Sequence, residues 1–163
     1  MKTKRSAEVL KALAGKRLAT AESLTGGGIG EAITAVSGAS RVYAGGVISY
    51  TNEVKHGVLG VPAELLDTLG AVSGPVAQAM AQGVRALLRA DAAVSVTGLA
   101  GPDGDEYGHS VGTVFIGYAD ANTAFAREYH FDGDRKQVRE QTIVSALELV
   151  LEMNVSAAAP DEF

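Results

Sequence analysis

Apolar positions along the chain follow two rhythms that alternate with each other. At the start, Val9, Leu10, Leu13 and Ala14 share one face of a basic amphipathic helix, and Glu8, Lys11 and Lys16 interrupt any continuous hydrophobic stretch. Arg17 to Ala21 predicts a short strand running into Glu22-Ser23-Leu24-Thr25 and three glycines. Beyond them Ile29, Ile33 and Val36 form a helical stripe that should end at Gly38. Gly46 to Tyr50 predicts the next strand, followed by a helical turn from about Asn52 to Leu59 and a short helix from Val61-Pro62 through Leu69. Ser73-Gly74-Pro75 is a helix entry with proline in the first turn, and Val76, Met80, Val84, Leu87 and Leu88 are expected to face inward. Ala92 to Val96 predicts a buried strand. Val111–Tyr118 and Thr123–Phe131, separated by the turn formers Asp120 and Asn122, predict a hairpin. Asp134 with Gln137 makes a capping box for a final helix that buries Ile143, Leu147, Val150 and Leu151. The tail VSAAAPDEF is expected to fray.

Strands alternating with helices imply an α/β layered fold, and the hairpin implies a mixed sheet. No internal repeat or interdomain linker breaks the pattern, so residues 1–163 are expected to form a single domain. Composition narrows the function. Fourteen Lys and Arg against 19 Asp and Glu give a net charge of −5, with no basic stripe for the phosphates of a nucleic acid. Cysteine is absent, which removes disulfides, thiolate nucleophiles and Cys-ligated metal sites. His56, His109 and His130 are scattered outside any metal-ligand spacing, so no metal is expected. No apolar run approaches the roughly 20 residues of a membrane span, and the basic start does not read as a signal peptide. A cytoplasmic protein is expected.

Three glycine-containing loops follow three predicted strands, and in open α/β sheets ligands bind beyond the carboxyl ends of strands. In AESLTGGG, Ser23 stands at a strand-to-helix turn, with the amides from Leu24 through Gly27 beyond it. Such a turn suits a phosphate, or the oxyanion beside a serine nucleophile. Equally, Ser23 and Thr25 could do no more than cap the helix. In SYTNEVKHG, Tyr50 ends a strand and Lys55 lies about a helical turn further on. With histidines sparse, a desolvated lysine is the available base, and Tyr50 could relay or orient a proton. The competing reading makes Lys55 a solvated charge paired with Glu53 or Glu22. In SVTGLAGPDG, Thr97, Gly98 and Gly101 suit a polar ligand, while Asp103-Gly104 is also ordinary turn chemistry. Arg135, at the start of the last helix, could clamp a phosphate or carboxylate or merely decorate the first turn.

The segments TAESLTGG, VISYTNEVK, GAVSGPVA, SVTGLAGPDG, VGTVFIGYA and FDGDRKQVR resemble, in order, the motifs of the CinA C-terminal family, the nicotinamide-nucleotide amidohydrolases or NMN deamidases. The resemblance runs from about Ala12 to Leu151. It implies a three-layer α/β/α sandwich that hydrolyses the amide of a small nucleotide, nicotinamide mononucleotide, in pyridine nucleotide salvage, with no metal or other cofactor. It also implies a homo-oligomer, and a stand-alone domain without the nucleotide-binding domain of full-length CinA proteins. Carried over residue by residue, Ser23, Tyr50 and Lys55 are the implied catalytic group. Thr25, Gly26, Gly27, Thr97, Gly98, Gly101 and Arg135 are the implied substrate-binding group. The segment Asp105 to Ser110 departs from the family, which often carries a Lys-Pro pair there. Two other functions fit the same loops: a module that binds a nucleotide without turning it over, and an oligomeric competence or damage-inducible scaffold with no substrate.

Overall fold

A computed structural model describes residues 1–155; the tail from residue 156 onward lies outside the described residues. In chain order the elements are α1 (Lys2–Ala12), β1 (Leu18–Glu22), α2 (Gly28–Thr34), a 3₁₀ turn (Ala39–Arg41) and β2 (Tyr43–Ile48). Then come α3 (Asn52–Gly57), α4 (Ala63–Leu69), α5 (Gly74–Leu88), β3 (Ala92–Gly98), β4 (Thr113–Asp120), β5 (Ala124–His130) and α6 (Arg135–Val155). The sheet runs β2-β1-β3-β4-β5. β1 is parallel to both β2 and β3, whereas β4 pairs antiparallel with β3 and β5, so the sheet is mixed as expected.

Strand alternation sorts side chains onto two faces, and each face receives its own helices. Leu18, Val94, Val96, Val114, Ile116 and Tyr118 join residues of α1, α2 and α6 in one apolar cluster. Ala19, Ala21 and Ala93 join Leu59, Val61, Leu66 and the α5 residues Val76, Met80 and Val84 in the other. That is a three-layer sandwich. The second face is built from small residues because α5 lies close against it: Ser95 Oγ donates to Ala77 O, and a Cβ on Gly117 would overlap that same carbonyl. Leu87, expected inside, is half exposed in the last turn of α5, just before the chain turns through Arg89 in left-handed conformation (φ 51°).

Gly83 shows the same constraint from the outer side of α5. A Cβ there would overlap the Leu59 carbonyl oxygen, which is backbone and cannot rotate away. Alanine in a helix interior ordinarily gains about 1 kcal/mol over glycine. Here overpacking, at about 1–3 kcal/mol, is expected to outweigh that gain. Gly83→Ala should therefore lower the urea midpoint, and a raised midpoint would show that the α3–α4 connection yields freely.

The strand expected at Gly46–Tyr50 begins and ends earlier, at Tyr43 and Ile48. Ser49 N–H still donates to Glu22 O (2.7 Å), closing the last rung beside β1. The carbonyls of Ser49 and Tyr50 then leave the ladder, because a lysine side chain takes them instead.

Candidate active site

β1 and β3 are adjacent and parallel, so the loops after them emerge side by side at one edge of the sheet. A crevice of about 460 Å³ opens there, lined among others by Ser23, Leu24, Tyr50, Lys55, Thr97, Gly98, Gly101, Asp103 and Arg135. Seven of the ten residues singled out from sequence thus converge on one cavity: Ser23, Tyr50, Lys55, Thr97, Gly98, Gly101 and Arg135.

At its floor lies a serine–lysine pair. Thr51 Oγ1 accepts from Val54 N–H and starts α3, which then carries Lys55 back beneath the loop. Lys55 is 1% exposed. Its Nζ donates to Ser49 O (2.8 Å) and Tyr50 O (3.4 Å) and lies 3.1 Å from Ser23 Oγ. It forms no salt bridge among the described residues. Burial without a countercharge disfavours the ammonium and lowers the lysine pKa to about 8. Two carbonyls take two N–H bonds, and a neutral amine then turns its lone pair to the serine hydroxyl.

The carboxylate that could have spoiled this arrangement points elsewhere. Glu22 is buried, and its oxygens accept from Thr25 Oγ1 (2.5 Å), Ile29 N (2.8 Å) and Gly30 N (3.1 Å). Glu22 thus satisfies the first amides of α2, whose N-cap position, Gly27, offers no side chain. This settles the capping question raised by the sequence: neither Ser23 nor Thr25 caps α2.

Three of the residues implied as substrate-binding do not reach the crevice. Thr25 is 1% exposed, with its hydroxyl committed to Glu22. Gly26 and Gly27 border a separate depression beside Glu31, Lys136 and Arg139, on the other side of the turn. Their positive φ angles, 59° and 104°, are what let the chain reverse into α2 so tightly. Gly26 N and Gly28 N already donate to Ser23 O and Thr25 O.

Other residues reach the crevice in altered roles. Thr97 lines it but donates its hydroxyl to Ala71 O (2.8 Å), anchoring the α4–α5 connection that forms one wall. Tyr50 is 59% exposed, and its hydroxyl accepts from Arg135 Nη2 (3.3 Å). Its contact with Lys55 is through its carbonyl, and the phenol stands at the rim beside Arg135. Arg135 also donates to Gly101 O (2.7 Å), which places its guanidinium across the open end. In the divergent segment, Asp105 accepts from Tyr107 N, His109 N and His109 Nδ1, while Tyr107 OH donates to Asp67 O. That segment braces the wall without lining the crevice.

Sequence reasoning missed Arg139. Its Nε donates to Leu24 O (2.9 Å) and its Nη2 to Thr25 O (3.3 Å). The available signal was its spacing: Arg139 lies four residues after Arg135 on α6, so both reach from one helix face towards the loops. Among the described residues no group of three His, Cys, Asp or Glu could hold a metal ion, and no helix is long and apolar enough to cross a membrane.

Fold and crevice together define an α/β protein with a buried serine–lysine pair at the carboxyl ends of parallel strands. The family model described as the CinA C-terminal domain matches residues 2–154, and the chain belongs to that family. It is 45% identical over 137 residues to the nicotinamide-nucleotide amidohydrolase PncC of Pseudomonas putida, covering 84% of this chain and 86% of that protein. It is 47% identical over 134 residues to a CinA-like protein of Geobacter metallireducens, covering 82% of this chain but only 32% of that longer one. Among solved structures, the competence damage-inducible protein A of Klebsiella pneumoniae superposes with a TM-score of 0.93 at 36% identity, over 96% of this chain and 99% of that one. The competence/damage inducible protein CihA of Agrobacterium tumefaciens gives 0.90, also at 36%, over 94% and 95%.

Proposed function

We propose that this chain hydrolyses the carboxamide of nicotinamide mononucleotide to nicotinate mononucleotide and ammonia, with Ser23 as nucleophile and Lys55 as general base. The observation that carries the reading is the 3.1 Å approach of a buried, unpaired Lys55 Nζ to Ser23 Oγ in a crevice of substrate size. The likeness to PncC of Pseudomonas putida supports the choice of substrate. Neutral Lys55 takes the hydroxyl proton as Ser23 Oγ attacks the carboxamide carbon. The resulting oxyanion faces Leu24 N–H, on the crevice wall, which has no acceptor among the described residues. Lys55 then returns the proton to the leaving nitrogen, and ammonia departs. Water repeats the sequence on the acyl-enzyme: Lys55 takes its proton, hydroxide attacks, and Ser23 leaves reprotonated. Arg135, across the open end, offers a cation to the substrate's phosphate.

Ammonia release by the purified protein, run beside a binding titration, tests the reading. Release supports an amidase; binding without release favours a nucleotide-binding module; neither favours a scaffold. The pH dependence adds a sharper check. Only the deprotonated lysine can accept a proton, so a pKa of about 8 leaves roughly a tenth of Lys55 active at pH 7 and about a hundredth at pH 6. Below pH 8, kcat/KM should rise nearly tenfold per pH unit, then level off above about pH 9. A flat or falling profile between pH 6 and 8 would rule out lysine as the base.

A further inference from the structure

One wall of the crevice is the α4–α5 connection, and the core holds it lightly. α4 spans seven residues and buries only Leu66. Ala71 and Val72, which follow it, line the crevice. From the sheet side, Thr97 Oγ1 donates to Ala71 O (2.8 Å). From the solvent side the hold is Tyr107, whose hydroxyl donates to Asp67 O (3.2 Å) near the end of α4. Its ring lies over Gly70, where a Cβ would overlap Tyr107 Cδ2 and Cε2. Gly70 also has a positive φ of 78°, so glycine is required there twice over, by the turn and by the ring.

A self-contained turn presents that ring. Asp105 Oδ1 accepts from Tyr107 N–H (3.1 Å) and His109 N–H (2.9 Å), and Oδ2 accepts from His109 Nδ1 (2.8 Å). One carboxylate thus closes residues 105–109 on themselves, as an Asx turn does. His109 meets Phe115 of β4 edge-on, with ring centroids 6.1 Å apart, which ties the turn to the sheet. The chain just before it, residues 99–103, lines the crevice. The turn therefore joins two parts of the lining: residues 99–103 by chain continuity, and Ala71 and Val72 through Tyr107. The same stretch is where the sequence departs from its family.

A carboxamide placed at Ser23 brings its pyridine ring into the crevice, whose aliphatic lining is Leu24, Ala71, Val72, Leu99, Ala100 and Pro102. We propose that Tyr107 is a specificity-determining positioning residue: it clamps the α4–α5 connection against the crevice and so sets how large a ring the site admits. The proposal rests on the Ser23 amidase reading. Tyr107 itself touches no reacting atom and acts only through the wall.

The test measures kcat and KM for ammonia release in the wild type, Tyr107→Ala, Tyr107→Phe and Asp105→Ala. The substrates are nicotinamide mononucleotide and its analogue with a methyl group on the ring carbon adjacent to neither the carboxamide carbon nor the ring nitrogen. One methylene-sized change in an apolar pocket is worth about 10–200-fold in kcat/KM, so the wild type should prefer the unmethylated substrate by at least about tenfold. Tyr107→Ala should raise KM for nicotinamide mononucleotide about tenfold and narrow the preference to about threefold or less. Its kcat should stay within about threefold, because Ser23 and Lys55 stand on β1 and α3 and not on the wall. Tyr107 is 42% exposed, so its removal leaves the core intact. Asp105→Ala, which does not touch the wall, should reproduce these effects because the turn that presents the ring opens. Tyr107→Phe keeps the ring on Gly70 and should recover most of the preference. Amide hydrogen exchange adds a readout independent of activity: residues 66–72 should exchange at least about tenfold faster in Tyr107→Ala, with β1 and β3 unchanged.

A wild type that takes both substrates equally overturns the proposal, and so do Tyr107→Ala and Asp105→Ala proteins that keep the wild-type preference. Unchanged exchange across residues 66–72 does the same. A loss in kcat with KM unchanged also overturns it, since the segment would then support the serine–lysine pair and not the wall. A wild-type protein that releases no ammonia overturns the amidase reading and this inference with it; normal wild-type release with unaltered variants overturns this inference alone.

Discussion

Replacing Lys55 by arginine is expected to abolish turnover, with a fall in kcat of at least about a thousandfold, comparable to that of Ser23→Ala and Lys55→Ala. An arginine keeps the positive charge and can still donate to the Ser49 and Tyr50 carbonyls that now hold Lys55 Nζ. It cannot deprotonate near neutral pH, so it has no lone pair for the Ser23 proton. The substitution thus separates the lysine's role as a proton acceptor from its role as a buried cation. Lys55 is 1% exposed and the guanidinium is bulkier, so Lys55→Ala serves as the companion variant, with circular dichroism to confirm that each variant is folded. Ser23→Ala should lose rate to the same degree while binding the substrate nearly as well as wild type, because Arg135, and not Ser23, is the group proposed to meet the phosphate. The measurement is steady-state ammonia release beside a binding titration. A Lys55→Arg protein with more than about a tenth of wild-type activity has lost less than ~1.4 kcal/mol of transition-state stabilisation. Lysine would then not be the base.

Glu22→Ala is expected to be the most destabilising single change near the site. The carboxylate accepts three bonds in the interior, from Thr25 Oγ1, Ile29 N and Gly30 N, and alanine would leave all three donors unmatched. Each buried donor left without a partner costs about 1–3 kcal/mol, so a total near 3 kcal/mol is reasonable after relaxation and entry of water. For a domain of this size that corresponds to a fall in Tm of roughly 10 °C. Glu22→Gln, which retains one acceptor oxygen but turns an NH₂ towards a donor, should fall between the two. Turnover should drop along with stability, because Ser23 is the next residue in the chain and the turn it sits on is pinned by these bonds. Urea unfolding of the two variants checks the ordering. If Glu22→Ala unfolds within 0.5 kcal/mol of wild type, the size of an ordinary surface substitution, the carboxylate does not hold the turn.

Much of this architecture was legible before any coordinates. The strand-then-helix alternation, the hairpin of β4 and β5, and the capped starts of α5 and α6 depend on residues a few positions apart, and local spacing records such relations faithfully. The same locality marked Ser23, Lys55 and Arg135 as chemistry-bearing residues at element boundaries. It also marked Thr25, Gly26 and Gly27, which lie outside the crevice. A Thr-Gly-Gly turn after a strand looks like a ligand cradle whichever way it faces, and here it faces Glu22 and α6. The end of β2 was misplaced for a related reason. Ser49 and Tyr50 have strand-like character, but their carbonyls serve Lys55, and sequence spacing carries no record of that commitment.

By itself, then, the sequence determined which elements form, the mixed character of the sheet and a short set of candidate residues, most of which the fold brings to one crevice. Packing alone decided what those residues can do. Ser23 and Lys55 are 32 positions apart and meet because β1 and β2 are parallel neighbours whose following loops close over one edge. Lys55 is an ordinary surface cation in sequence; its basicity is lowered because folding strips it of water and supplies carbonyls but no carboxylate. Arg139 reaches the turn after β1 across more than a hundred residues of chain, from a helix whose stripe of buried residues fixes its rotation against the sheet. Charge state and orientation depend on the solvent excluded and the dipoles assembled around a group, and those exist only once distant segments have packed.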